Sequence, residues 1–306
     1  MNSAVESHLC LFNAEAYHGL YLQPPQSYVR IDYHDAGRLV GTCAGVFEDA
    51  VFDCGHRAPF GGIDIFGDYQ SPVKLLCLVA HVMAEARARG ARKVRIRCRP
   101  HYAHPVESTI QFALLTQGFQ TEQVELSQGI ELSATRNIEE YVKQLESRAR
   151  RTLRNAISLG IEPIHASSDA DWDEGYRVLQ SNRALRHRSG LKYSLDYLYR
   201  LRALFPGQVR MLLLRHENRA VAAALVYRIL PGMHYLAAWG DSGHALPHSP
   251  MNFMAHQIVA EALEDGAHVV DLGISSVDGV VNDGLVQFKR SIGASTALRL
   301  DLARDL

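Results

Sequence analysis

Strict alternation of charged and apolar positions runs from Lys93 to Arg99. Lys93, Arg95, Arg97 and Arg99 fall on one side and Val94, Ile96 and Cys98 on the other, the two-residue period of a strand. Upstream, Tyr28 to Tyr33 and Arg38 to Phe47 read as a hairpin that turns at Asp35-Ala36-Gly37. Ser71-Pro72 opens an amphipathic helix, with Ser as cap and Pro in the first turn. Its apolar stripe is Leu75, Leu76, Val79, Val82, Met83 and Ala86, and Gly90 ends it. A second helix is predicted over 106–117 and an extended segment over 119–132. Further on, 139–159 reads as one basic helix stopped by Gly160, with helices over 172–188 and 195–205 after it. The stretches 208–215 and 220–230 form a hairpin around Glu217-Asn218-Arg219, and 233–239 continues the sheet. Ser249-Pro250 opens a helix with Met251, Met254, Ile258, Val259, Ala262 and Leu263 inward. Gly266 stops it, and 268–272 is a short buried strand.

The order hairpin, Ser-Pro helix, Gly-Ala, strand therefore occurs twice. Ser71-Pro72, Ala84-Glu85-Ala86, Gly90-Ala91 and Val94 are matched by Ser249-Pro250, Ala260-Glu261-Ala262, Gly266-Ala267 and Val269. This suggests an internal duplication of one α/β unit. The expected domains are 1–135 and 136–306, meeting in the polar stretch 133–136.

Composition narrows the class. A hydrophobic fraction of 47% is ample for a core, and a net charge of −1 rules out a general polyanion trap, so any such site must be local. No apolar run reaches a membrane span, and the N-terminus has no basic segment followed by an apolar one. Five cysteines, an odd number without C-x-x-C spacing, argue against a disulfide framework or zinc knuckle and make the cytoplasm the default compartment. No G-x-G-x-x-G, P-loop, H-E-x-x-H or G-x-S-x-G is present. His101 with His104, and His244 with His248, lack acidic or Cys partners at ligand spacing. No metal and no resident cofactor is expected.

The stretch 268–294, H-V-V-D-L-G-I-S-S-V-D-G-V-V-N-D-G-L-V-Q-F-K-R-S-I-G-A, concentrates the chemistry. A buried strand leads into a Gly/Ser/Asp loop over 273–282 and then a short helix capped by Asn282 or Asp283. Such loops are where α/β folds hold ligands; the bland alternative is a surface connection with a solvated Lys289. The pattern Asp271, Gly273, Asn282, Gly284, Leu285, Phe288, Lys289, Gly293, Ala294 resembles the end of the Fem family of aminoacyl transferases. It equally resembles the wider Fem-like acyltransferases with a doubled GNAT fold. The resemblance extends more weakly over nearly the whole chain. It implies α/β architecture with two tandem GNAT-like domains of mixed, mostly antiparallel sheets. It also implies that Lys289 stabilises the charge developing during acyl transfer and that Phe288 packs the channel wall. On chemistry alone, Asp271, Ser275 and Ser276 are placed to orient an amine or accept its proton, and Asp271 serves a structural role equally well.

A second feature is Asn182-Arg183-Ala184-Leu185-Arg186-His187-Arg188, which puts Arg183 and His187 on one helix face. In peptidoglycan Fem enzymes an arginine on the corresponding helix binds acceptor phosphate. That role is implied for Arg183, with Arg186 as the competitor, although the aromatic pattern that usually follows is altered here. Gly61 and Gly62 form a loop in which small residues let a substrate approach the backbone. Arg148, Arg150, Arg151 and Arg154, and the Lys93–Arg99 face, are basic surfaces for tRNA or carrier phosphates, or else solvated faces. The turn Gly243 to His248 lacks the R/Q-x-x-G-x-G/A pattern that holds the pyrophosphate of acyl-CoA, and Pro247 removes a donor. The expected function is amide formation. The donor is aminoacyl-tRNA, or alternatively acyl-CoA or an acyl-carrier thioester, and the acceptor is an amine of a peptide or small molecule. A non-catalytic binding module with the same fold stays open.

Overall fold

A computed structural model describes residues 9–187 and 190–306, with the side chains of Arg186 and His187 outside that description. The chain divides into two compact units. Unit 1 holds the residues through Ser127 together with Ile274–Val281 and Thr296–Leu306; unit 2 holds Gln128–Gly273 and Asn282–Ser295. Division by contacts thus differs from a cut at 135/136, because the chain returns to unit 1 twice.

Unit 1 begins with α1 (Glu15–His18) and a meander of β1 (Ser27–Asp35), β2 (Arg38–Glu48) and β3 (Val51–Cys54). The β1–β2 turn uses left-handed Ala36 and Gly37, which matches the twist of a tight hairpin. After β4 (Ile63–Ile65), which pairs with β2, α2 (Pro72–Ala88) crosses to β5 (Lys93–Arg97), parallel to β3. Then come α3 (Glu107–Thr116) and β6 (Gln120–Glu131), whose last residues belong to unit 2. The core of unit 1 gathers Leu75, Leu78, Val79 and Val82 of α2 against Ile31, Phe52, Val94 and Ile96.

Unit 2 repeats this topology. It starts with α4 (Ile138–Gln144), α5 (Ser147–Ser158), β7 (Glu162–His165), α6 (Asp169–His187) and α7 (Leu195–Leu204). A second antiparallel meander follows: β8 (Val209–His216), β9 (Arg219–Leu230) and β10 (Met233–Asp241). Helix α8 (Met251–Glu264) crosses to β11 (Val269–Ile274), parallel to β10. A two-residue hairpin in unit 1, β12 (Ser276–Val277) with β13 (Val280–Val281), precedes α9 (Asp283–Ser291) of unit 2. The last strand, β14 (Ser295–Asp305), pairs antiparallel with β5 through Asp301 and Arg97, which is why the C-terminal segment belongs to unit 1. The result is an α/β fold with mixed, mostly antiparallel pairing.

Three expectations are corrected. The basic helix over 139–159 is two helices, because Leu145 takes extended backbone and buries its side chain. Glu146 N–H then donates to the Ser291 carbonyl at 3.2 Å instead of continuing the helix. The Lys93–Arg99 face is not a free basic surface, because acids from its own unit pair with it. Lys93 and Arg95 meet Glu122, Arg97 meets Asp301, and buried Arg99 lies between Asp64 and Glu107, each at 2.7 Å. Finally, Lys289 is not solvated: it is 1% exposed.

Candidate functional site

The site is built where β10 and β11 part. Their parallel pairing covers Met233↔Val269, His234↔Val270 and Tyr235↔Asp271, and stops there. Strand β10 keeps its antiparallel partner β9 as far as Asp241, with a register shift between Leu236 and Ala238 that bends it. Beyond Asp271 the chain turns through Gly273, whose φ of +72° lies in the left-handed region that glycine adopts without strain. Gly273 N–H donates to Asp271 Oδ1 at 2.6 Å, a side-chain-closed turn typical of Asp. Gly273 therefore directs its carbonyl toward α9.

Helix α9 supplies the other wall. Asn282 caps it, its side chain accepting from Leu285 N–H at 3.0 Å. Two turns later Phe288 lies against Trp239 of β10, ring centroids 5.5 Å apart. The next residue, Lys289, points inward and donates from Nζ to the Gly273 carbonyl at 2.8 Å. Burial pulls its pKa down to about 7, while the Asp271 charge acts in the opposite direction. Asp271 is itself buried. The Tyr235 hydroxyl reaches the same turn, about 3.7 Å from where a Cβ on Gly273 would stand. Lys289 and Asp271 thus meet at the Gly273 turn in unit 2, with Phe288 beside them on α9 and Asn282 at the far, exposed end of that helix.

Other candidates are placed differently. Ser275 and Ser276 are buried in unit 1. Ser276 Oγ donates to Glu125 and accepts from Leu126 N–H at 2.7 Å, while Ser275 N–H donates to the Leu126 carbonyl. These bonds hold the hairpin's base. Gly61 has a packing role in unit 1: a Cβ there would lie 2.5 Å from Gly55 N, so its smallness accommodates the protein's own backbone. Gly62, at φ +97°, is buried beside it. Arg183 is half-buried on α6. The side chains of its competitor Arg186 and of His187, expected on the same helix face, lie outside the described residues.

On α5, Ala149, Leu153 and Ala156 face the core. Arg148, Arg151 and Arg154 are exposed and Arg150 is half-buried, donating to Ser147 Oγ at 3.3 Å. No ion pair among the described residues engages these four arginines. Between β10 and α8, the backbone N–H groups of Gly243, His244 and Met251 donate to the side chains of Asp241, Ser242 and Ser249. No group of His, Cys, Asp and Glu among the described residues is arranged to hold a metal.

Tyr235, Trp239, Gly240 and Asn182 escaped the sequence reading. Gly240 is needed because Asn182 rests on it: a Cβ would lie 2.3 Å from Asn182 Cγ. Asn182 Nδ2 also donates to the Asp241 carbonyl at 3.0 Å, fixing α6 to β10. The available signal was the Trp-Gly-Asp ending of an otherwise apolar strand.

Comparison with known proteins agrees with this architecture. Residues 143–290 match the family model described as an acetyltransferase (GNAT) domain. FemX has a similar structure, with a TM-score of 0.76 at 14% identity over 99% of this chain and 94% of that one. L-PGS from Bacillus licheniformis matches at 0.55 and 13% identity, over 87% of this chain and 81% of that one. A tandem GNAT protein from the clavulanic acid biosynthesis pathway matches at 0.52 and 11% identity, over 99% and 91%. No curated protein matches in sequence. The chain has a Fem-like fold of tandem GNAT-like units.

Proposed function

We propose that this protein is an acyltransferase that uses Lys289 in forming an amide, moving an aminoacyl group from aminoacyl-tRNA to an amine of a peptide or small molecule. The observation that carries the reading is the buried lysine at the parting of β10 and β11. Attack of an amine on an ester or thioester makes an oxyanion, and a fixed donor in a water-poor site lowers that barrier. Lys289, held by Asn282-capped α9, is that donor. Phe288 and Trp239 form an apolar wall that keeps water from the acyl group. Asp271 closes the turn that aims the Gly273 carbonyl at Lys289 Nζ. Similarity to FemX and to GNAT domains supports the same class of chemistry.

Two observations favour tRNA as donor. The arginines of α5 have no acidic partners among the described residues, as a phosphate-contacting face requires. Three N–H groups leading into α8, those of Gly243, His244 and Met251, are already used by Asp241, Ser242 and Ser249, which leaves fewer donors for a CoA pyrophosphate. Arg183 is assigned to the acceptor. The second reading, an acyl-CoA or acyl-carrier donor, draws on the tandem GNAT protein of the clavulanic acid pathway. No described helix is long and apolar enough to cross a membrane, and we place the enzyme in the cytoplasm. The test is a mass-shift screen of charged tRNA, acyl-CoA and acyl-carrier against a panel of amines, with and without RNase. RNase-sensitive product is expected; RNase-resistant product from thioester alone rejects the tRNA donor.

A further inference from the structure

Lys289 is enclosed in a way that a permanent point charge does not require. Its Nζ is bound to a neutral carbonyl, Gly273 O, at 2.8 Å, and its stem lies in a helix that packs its inner face on unit 2. The charged group that acts on it is Asp271 of β11, one of whose oxygens already accepts from Gly273 N–H. Tyr235 on β10 faces the same turn. Tyr141 of α4 holds the end of α9, its hydroxyl donating to the Ile292 carbonyl at 2.9 Å. Arg290, the next residue on α9, is exposed. Burial opposes the cation of this amine, and the Asp271 carboxylate favours it.

We infer that Lys289 is the proton carrier of the reaction: it enters as the neutral amine, takes the proton of the acceptor ammonium, and then serves as the cation beside the oxyanion. This rests on the acyl-transfer reading and deepens it. The steps balance. The Lys289 amine removes H⁺ from R–NH₃⁺, giving R–NH₂ and the Lys289 ammonium. The amine lone pair forms the N–C bond, and the carbonyl π pair moves to oxygen, where the Lys289 ammonium donates a hydrogen bond. The C–O or C–S bond of the donor then breaks, and its leaving group departs with the bonding pair and a proton from the attacking nitrogen. Lys289 returns its own proton to water. Base and oxyanion donor are one group at successive moments, so no second titratable base is needed. Burial places the lysine pKa at about 7, where both forms are accessible. Asp271 is a positioning residue that sets how far the balance leans toward the cation.

The test uses the full-length protein with its five lysines, Lys74, Lys93, Lys143, Lys192 and Lys289, labelled with ¹³C at Cε and followed by NMR across pH. The signal missing from Lys289→Met identifies the residue. It should titrate near neutrality, and its midpoint should fall in Asp271→Asn. With any donor and amine that give product, kcat/KM should lose about tenfold per pH unit below the same midpoint. A Lys289 that stays protonated to pH 9, in an enzyme whose product formation has no acid limb at the lysine midpoint, overturns the proton-carrier role and leaves acyl transfer by a fixed cation. Absence of product from every donor overturns both.

Discussion

At the scale of single residues, Lys289 sets a stability signature as well as a mechanism. Its folded pKa, about 7, lies below the 10.5 of an unperturbed lysine. Between those values the unfolded chain binds a proton that the folded chain does not. Stability contributed by this group therefore rises with pH through that window and is lost as pH falls toward 7, by up to about 1.4 kcal/mol per pH unit. Lys289→Met keeps most of the stem's packing and removes the titration. Urea unfolding at pH 7 and pH 9.5 should show a steeper gain for the wild type than for the variant. Equal gains would mean that the lysine is hydrated and charged throughout, contrary to its burial.

At the scale of elements, α9 and α5 carry the separable parts of the account. Asn282→Ala removes the cap of α9 and should cost about 1 kcal/mol in stability. Because Phe288 and Lys289 ride on the same short helix, turnover should fall by more than substrate affinity. Loss of stability with untouched turnover would detach the helix from the chemistry. On α5, removing Arg150 and Arg151 together should weaken tRNA binding and flatten its dependence on salt, since fewer counterions are released. Binding that is unchanged over several salt concentrations would take α5 out of the interface. The elements themselves were mostly legible in sequence. The turns at Asp35-Ala36-Gly37 and Glu217-Asn218-Arg219, the Ser-Pro helix starts and the Asn282 cap follow from local chemistry that holds in any context. The break at Leu145 was not legible, because it depends on a distant carbonyl, that of Ser291. The Lys93–Arg99 stripe misled for the same reason: strand alternation shows that four cations share a face, but not that Glu122, Asp301, Asp64 and Glu107 meet them.

At the scale of the whole molecule, the repeated order of strands and helix was visible from the paired Ser-Pro signals, whereas the return of 274–281 and 296–306 to unit 1 was not. Strand pairing between β14 and β5 joins residues about two hundred positions apart, and no local pattern records it. Within the candidate site, Phe288, Lys289 and Asp271 were legible through a family resemblance. Tyr235 and Trp239 were not, because their place depends on where β10 parts from β11, and Asn182 was not, because it is set by packing of α6 on Gly240 of β10. The most direct measurement of the central claim is turnover under saturating donor and amine, wild type against Lys289→Met, with product followed by mass and RNase as the control on the donor. A transition-state donor of this kind contributes about a hundredfold to a thousandfold in turnover and little to ground-state binding. The expected result is that loss, with both substrate affinities within a few-fold of wild type. A Lys289→Met protein that turns over at close to the wild-type rate would contradict the account, leaving the lysine a structural residue of a fold whose chemistry lies elsewhere.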